Sequence, residues 1–418
     1  MKRDDDYVLR RTEKIRLYPT HRQEQALRFM LGVTRQLYNA ALQERRDAYR
    51  LRRVSVTAKM QLKELTGIRK EKLDSRITAV YRECQDAILR RLDLAFAAFF
   101  TRCRLEQTPG FPRFKSAKRF RQLTFPHGDR ALRFDAEQRR ITIPGVGSVK
   151  LRKGRTVPPF GRAWLVEKNE RWYACFECER AQSQGPLDIR DVCGVDRGAH
   201  VLAATSKGEL IRNAAVGEHR KRATARLQRE LESVTERDDR GRVTNYQDPK
   251  RRAAAFRLAR SYEHQVNARL DYAHKIARRL VNASQVIGLE ALRLIHMVRS
   301  AKGTADKPGR NVAAKSGLNR VMLDAAFGLL ERKIVEKAEE AARRVVRVDA
   351  RFTSQECSRC GLIAARSRRR RRFECIACGY TCHADVNAAL VIRGRAQLAL
   401  WSELDPAEEA GRRAGRAA

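Results

Sequence analysis

Acidic residues are scarce in this 418-residue chain: 49 Asp and Glu stand against 89 Lys and Arg, a formal net charge of +40. Self-repulsion on that scale disfavours a compact state unless a polyanion neutralises it. Long apolar runs are missing too, which excludes a membrane-spanning helix. The N-terminus MKRDDDYVLRR is charged and has no apolar core of the kind a secretory signal needs. A membrane surface is therefore the weaker choice of polyanion and nucleic acid the stronger. Cysteine is sparse, at 10 residues, and its scatter outside one double pair fits a reducing cytosol with metal rather than disulfides. Apolar residues are not lacking: at 43% they suffice for real cores, so the chain is not a basic disordered tail. Its length allows two to four domains.

The first recognisable element is KIRLYPT (14–20), a short strand that ends at Pro19. Thr20 and Gln23 have capping-box spacing and open a helix through QALRFMLGVTRQLYNAAL. A second helix is expected over about 76–100, where Ile77, Val80, Tyr81, Cys84, Ile88, Leu92, Ala95, Phe96 and Phe99 keep helical spacing. Arg82, Arg90 and Arg91 interleave with that stripe, as either a solvated basic face of a helical bundle or a face toward nucleic acid. Pro and Gly then punctuate short β-like runs from 108 onward, which predicts a small antiparallel barrel. Within it Arg113, Lys115, Lys118 and Arg119 alternate with Phe111, Phe114 and Phe120, with Phe125 beyond. Such a pattern suits phosphate contact beside base stacking; a barrel core of Phe with a basic surface reads equally well. Cys175 and Cys178 sit three apart on a strand, on opposite faces and with no second pair nearby, so a half-buried strand is the expectation there.

Beyond residue 188 the texture becomes α/β. VCGVD, HVLAATS and GELI are successive strands, followed by a charged helical stretch over 217–282 that DDRGRVTNYQDPK interrupts. SQVIGLE (284–290) is a buried strand, a Lys- and Gly-rich loop covers 300–318, a long helix runs from about 319 to 342, ARRVVRVD (342–349) is a strand, and DVNAALVIRG is a terminal helix. The tail AEEAGRRAGRAA is of low complexity and expected to be disordered.

Two features carry chemistry. Cys357/Cys360 and Cys375/Cys378 form two CxxC turns joined by a short arm, the spacing of a zinc ribbon. Three carboxylates each sit at an element terminus: Asp196 in GVDRG, Glu290 in IGLEAL and Asp385 in HADVNAA. Sites in open α/β sheets gather at strand ends. Three such acids together repel one another unless divalent cations bind, and hard oxygen ligands suit Mg2+ or Mn2+. Two such ions can activate water and stabilise the leaving oxygen of a phosphodiester. The arm between the cysteine pairs carries five consecutive arginines, Arg368, Arg369, Arg370, Arg371 and Arg372. It reads as a phosphate contact held rigid by zinc, or as a solvated face. His383 reads as a polar helix start and Cys382 as a spare thiol.

These motifs, from KIRLYPT through GFPRFKS, GVDRG, the YEHQVNARLDYAHKIA helix, IGLEAL and TSQECSRCG to FECIACGY and DVNAALVI, resemble the TnpB family. These are RNA-guided nucleases of insertion sequences, related to type V CRISPR effectors. The resemblance implies that Asp196, Glu290 and Asp385 are the magnesium-binding catalytic acids of a RuvC nuclease domain with an RNase H-like fold. It implies zinc on Cys357, Cys360, Cys375 and Cys378. The implied layout is a multidomain α/β protein: a wedge-type β-barrel (1–19 and 107–188), a helical recognition domain (20–106), the RuvC domain (189–350 and 383–396), a zinc-ribbon insertion (351–382) and a disordered tail (397–418). Implied partners are a guide RNA made from the transposon end and target DNA, double- and single-stranded, with no membrane partner. A cytoplasmic, nucleoid-associated location goes with them. Base pairing would read the target sequence and protein the flanking motif. Phosphate contacts to all these strands would account for +40. A guide-dependent repressor with a decayed nuclease and a transposase acting on transposon ends are the alternatives. Ala291, Leu292 and Arg293 after Glu290, and His383 and Ala384 before Asp385, depart from the family's usual polar or acidic neighbours without removing a ligand.

Overall fold

A computed structural model describes residues 9–154, 157–180, 188–304 and 307–404. The chain divides into two compact units, Met1–Arg180 and Ala181–Ala418.

In the first unit β1 spans Leu9–Tyr18. It starts earlier than the KIRLY run suggests, because Leu9 to Leu17 pair in continuous antiparallel register with Arg180 to Trp172. The helix α1 (His21–Arg52) opens on the expected capping box, Thr20 with Gln23, and stops where Arg53 turns left-handed. Helices α2 (Ala58–Lys70), α3 (Ser75–Ala79) and α4 (Arg82–Arg104) follow. The helix expected over 76–100 is thus broken at Val80 and Tyr81. The Arg69 guanidinium accounts for the break: it donates to the carbonyls of Ile77 (2.7 Å) and Val80 (3.0 Å), and Gln85 Nε2 also takes Ile77 O at 2.7 Å. Side chains so placed capture carbonyls that a continuous helix would use. Val80, 1% exposed, is free to turn into the core.

Strands β2 (Gln122–Phe125), β3 (Arg133–Asp135), β4 (Arg140–Ile143), β5 (Gly147–Leu151), β6 (Phe160–Lys168) and β7 (Arg171–Arg180), with the single-turn helix α5 (Gly128–Ala131), complete the unit. The sheet order is β2-β6-β7-β1-β5-β4-β3, antiparallel throughout. Asn169 and Glu170, both at positive φ, join β6 to β7 with the twist such hairpins prefer. Cys175 and Cys178 are both buried rather than on one buried face, since Ala174 to Phe176 are covered on both sides at the centre of the sheet. Burial pushes the Cys175 thiol up to about 11. Of the four phenylalanines, Phe120 and Phe125 are core, while Phe111 and Phe114 remain exposed.

The second unit is an α/β layer. Strand β8 (Val192–Asp196) is followed by β9 (Val201–Thr205), β10 (Leu210–Arg212), helices α6 (Val216–Ser233) and α7 (Pro249–Ala283), and β11 (Val286–Glu290). Then come α8 (Leu294–Met297), α9 (Val312–Ala325), α10 (Phe327–Glu340), β12 (Arg344–Val348), the small strands β13 (Arg368–Arg369), β14 (Arg372–Glu374) and β15 (Thr381–His383), and α11 (Ala384–Leu404). The sheet order is β10-β9-β8-β11-β12; β8, β11 and β12 are parallel and β9 and β10 antiparallel. Asp248 caps α7, accepting from Arg251 N at 2.7 Å ahead of Pro249.

Two expectations change here. The long helix over 319–342 starts at Val312 and breaks at Ala326, whose φ is 53°. Arg269 (2.6 Å) and the Gly217 amide (2.9 Å) pin Asp324 at the end of α9, while Phe327 and Leu330 turn into the core. The terminal helix does not give way to a tail at 397. It continues to Leu404 because Ile392, Ala396 and Leu400 extend one apolar stripe against Val192, Val286, Val346 and Val348. The remainder of the expected tail, 405–418, lies outside the described residues.

Two glycines let α11 lie directly on the sheet. A Cβ on Gly194 would sit 2.0 Å from Ala389 O and 2.5 Å from Arg393 N; one on Gly288 would sit 2.9 Å from the Ala396 Cβ. Gly194 and Gly288 each stand two residues before a strand-end carboxylate, so they share its face of the sheet. The helix that they admit carries Asp385 in its first turn.

Candidate active site

Asp196 ends β8, Glu290 ends the neighbouring parallel strand β11, and Asp385 opens α11 across them. Burial pushes the Asp196 carboxyl up to about 7, and the charges of Glu290 and then Asp385 add to it; Arg368 and the Arg197 amide pull the other way. The fold thus gathers all three carboxylates into one electrostatic neighbourhood. Their oxygens form a looser cluster than the cysteines: among the described residues the four thiols are the group of ligand atoms that all lie within 4.8 Å of one another. A buried acid that shares its surroundings with two other carboxylates is a hard-oxygen set short of positive charge, which fits a divalent cation.

Several residues that the motifs did not single out hold this arrangement. Arg197, directly after Asp196, has a fully buried side chain that donates to Glu290 O at 2.6 Å and pairs with Glu331 at 2.7 Å. Glu331 also pairs with Arg347 at 2.9 Å. The Thr353 hydroxyl, buried, lies 2.5 Å from Glu290 Oε1. A cation next to a strand-end acid was a visible signal for Arg197. Thr353 is 63 residues from its partner and left no signal in the sequence.

The cysteines converge. Cys357 Sγ lies 3.7 Å from Cys378 Sγ, and Cys360 Sγ 3.5 Å from Cys375 Sγ. A tetrahedron with metal–sulfur bonds of about 2.3 Å has edges of about 3.8 Å, so the four thiols fit zinc. Each CxxC turn closes the same way: the Gly361 and Gly379 amides return to the Cys357 and Cys375 carbonyls, and both glycines have positive φ. Amides of Cys378 and Ala377 draw the Cys375 thiol down, while at Cys360 the Leu362 amide is outweighed by hydrogen bonds with Cys375 and Cys378 that push the thiol up; a metal needs both as thiolates. Asn387, fully buried on α11, clamps the ribbon through Glu356 O (2.7 Å) and Ser358 N (3.0 Å). Cys357→Ser is expected to lower bound zinc from one atom per chain to well below half, and to loosen 351–382 to proteolysis. Metal analysis and limited proteolysis check this; unchanged zinc content would refute the ligand set.

The five arginines do not act alike. They form a hairpin of β13 and β14, turned at Arg370, which is left-handed. Arg368 folds inward and donates to Asp385 Oδ1 at 2.9 Å, while Arg372 pairs with Glu374 at 3.3 Å. Arg369, Arg370 and Arg371 are exposed. His383 stands at the start of α11, its Nδ1 accepting from the Asp385 amide at 3.3 Å. Arg113, Lys115, Lys118 and Arg119 belong to the first unit, in the loop before β2. Asn39 ties that loop to α1 through both backbone groups of Lys115, at 2.8 and 3.1 Å. Arg113, Lys118 and Arg119 are exposed and Lys115 is half-buried.

Three family models match: a helix-turn-helix domain over residues 9–53, "Probable transposase" over 175–301, and a Cas12f1-like TNB domain over 327–392. A protein of Escherichia coli (strain K12) described as "Putative RNA-guided DNA endonuclease InsQ" is 31% identical over 74% of each chain. A Streptomyces pristinaespiralis protein described as "Putative RNA-guided DNA endonuclease" is 27% identical over 97% of this chain and 94% of its own. A solved structure of the mini RNA-guided endonuclease CRISPR-Cas phi3 aligns with 93% of this chain and 92% of its own, at 9% identity and a TM-score of 0.47. No helix among the described residues is long and apolar enough to cross a membrane. With a relative 31% identical over 74% of both chains and family models matching in both units, the chain belongs to the TnpB family.

Proposed function

We propose that this protein is an RNA-guided DNA endonuclease whose RuvC-type site is built from Asp196, Glu290 and Asp385. The observation that carries the reading is the placement of Asp196 and Glu290 at the ends of neighbouring parallel strands, with Asp385 in the first turn of the helix that crosses them. Mg2+ or Mn2+ held by these acids would supply the activated water and stabilise the leaving oxygen of a DNA phosphodiester. The chain's own part is to prepare that place. Thr353 fixes one oxygen of Glu290 and leaves the other for a cation. Arg197 holds the main chain at the same residue, so the strand end cannot drift. Arg368 offsets part of the negative charge while it rests on Asp385.

In this reading the first unit supplies a wedge-type barrel and a helical recognition region, and the second an RNase H-like nuclease domain. The zinc ribbon (351–382) braces the acids with Thr353 and Arg368, and presents Arg369, Arg370 and Arg371 to phosphates. Arg113, Lys115, Lys118 and Arg119 serve the guide RNA or the target duplex. The protein should be purified with the RNA that accompanies it and that RNA sequenced. DNA matching the RNA, flanked by randomised sequence, should then be cut in Mg2+ and left intact in EDTA. If matched DNA is cut no better than unmatched DNA, the guided-nuclease reading fails.

A further inference from the structure

An open cavity of about 600 Å3 lies at the carboxyl end of β12, lined by Arg347, Asp349, Arg351, Phe352 and Arg395. It adjoins Glu290, while Arg395 stands ten residues along α11 from Asp385, about 15 Å away at 1.5 Å per residue. Val348, which also lines it, pairs in register with Glu290, and Val348 O accepts from Ala291 N at 2.9 Å. Thr353, one residue past Phe352, holds Glu290. Of the three lining guanidiniums Arg395 pairs with Glu356 and Arg347 with Glu331, so the exposed Arg351 and the half-exposed Arg347 are the groups that can attract an anion past Asp349. Arg395 is committed to structure: it donates to Asp349 O at 2.7 Å and Arg351 O at 2.9 Å, and pairs with Glu356. Arg347 keeps half of its side chain exposed despite Glu331, and Arg351 is exposed.

The aromatic residue is the unusual feature. Phe352 is 42% exposed although the Arg351 guanidinium lies over its ring at 5.0 Å. Its φ of 62° is a left-handed conformation that a bulky side chain seldom adopts. The turn is nevertheless over-determined, because Gln355 N (2.8 Å) and Glu356 N (3.0 Å) both donate to Phe352 O. Backbone strain maintained in this way clusters at ligand sites. A buried hydrophobe would explain strain by packing; an exposed ring does not.

We infer that this cavity is a subsite for one nucleotide of single-stranded DNA on the Glu290 side of the cut, with the base against Phe352 and the phosphate on Arg351 and Arg347. An exposed ring bordered by arginines is the combination that takes unpaired bases along a backbone. The choice of DNA over RNA rests on the nuclease reading of Glu290.

Two measurements test it. The ribonucleoprotein in Ca2+ is irradiated with a target strand carrying 5-iodouracil at successive positions, and adducts are mapped by mass spectrometry. An adduct on Phe352 is expected at one or two neighbouring positions; adducts only elsewhere would overturn the subsite. Phe352→Asn, which tolerates the left-handed turn, is expected to raise KM for target DNA at least fivefold at unchanged zinc content and guide-RNA binding. Phe352→Tyr should restore KM. An unchanged KM in Phe352→Asn, or no recovery in Phe352→Tyr, would overturn the subsite. A wild-type protein that never cuts DNA would instead refute the nuclease reading, while the adduct map would still report on the cavity.

Discussion

Asp196→Asn is expected to slow DNA cleavage by about 10³-fold or more, about 4 kcal/mol of transition-state stabilisation, and yet to stabilise the metal-free protein at pH 8. The two effects share one cause. In the unfolded chain this carboxyl ionises near 3.8, and in the fold near 7. Between those values the folded state keeps a proton that the unfolded state has lost, so stability falls as pH rises across the window. The loss is at most about 1.4 kcal/mol per pH unit. Asparagine carries no such charge. The stability difference between variant and wild type should open above about pH 4 and level off above about pH 7. Saturating Mg2+ should reverse the order, since it binds the folded wild type and stabilises it. Melting scans of both proteins in EDTA and in Mg2+, from pH 4 to 8, give the comparison. Parallel curves in EDTA would show that burial and the neighbouring charges do not raise the Asp196 carboxyl in the fold.

Gly194→Ala is expected to destabilise the second unit by several kcal/mol, a large overpacking effect. The added methyl group would meet backbone atoms, Ala389 O at 2.0 Å and Arg393 N at 2.5 Å, rather than the end of a flexible side chain. The only relief is to lift α11 off β8. That would move Asp385 away from Asp196 and open the core beneath Ile392, Ala396 and Leu400. Loss of helix by circular dichroism and a fall in melting temperature should accompany loss of cleavage. A variant melting within about 2 °C of wild type would mean that α11 does not cross β8 so closely. Gly208→Ala makes a useful comparison, because a Cβ there meets nothing within 4 Å and only the positive φ is strained.

By itself the sequence determined the features that rest on local spacing. The two CxxC turns with their following glycines, the apolar runs ending in Asp196 and Glu290, and the Thr20–Gln23 cap can each be read within a few residues, because their geometry is local. The tertiary structure decided what those features meet. Arg69 breaks a helix whose apolar stripe is continuous, since the guanidinium of the preceding helix, packed back against it, takes its carbonyls. Ala326 interrupts another helix, where Asp324 is pinned by Arg269. The arginine run looked like one phosphate-binding arm, but a hairpin register turns Arg368 onto Asp385 and leaves its neighbours outside. Thr353 reaches Glu290 across 63 residues, and α11 continues because apolar side chains beyond residue 396 find a core to cover. Each of these is a competition between a local preference and a partner brought in by packing, and only the folded chain contains the partner.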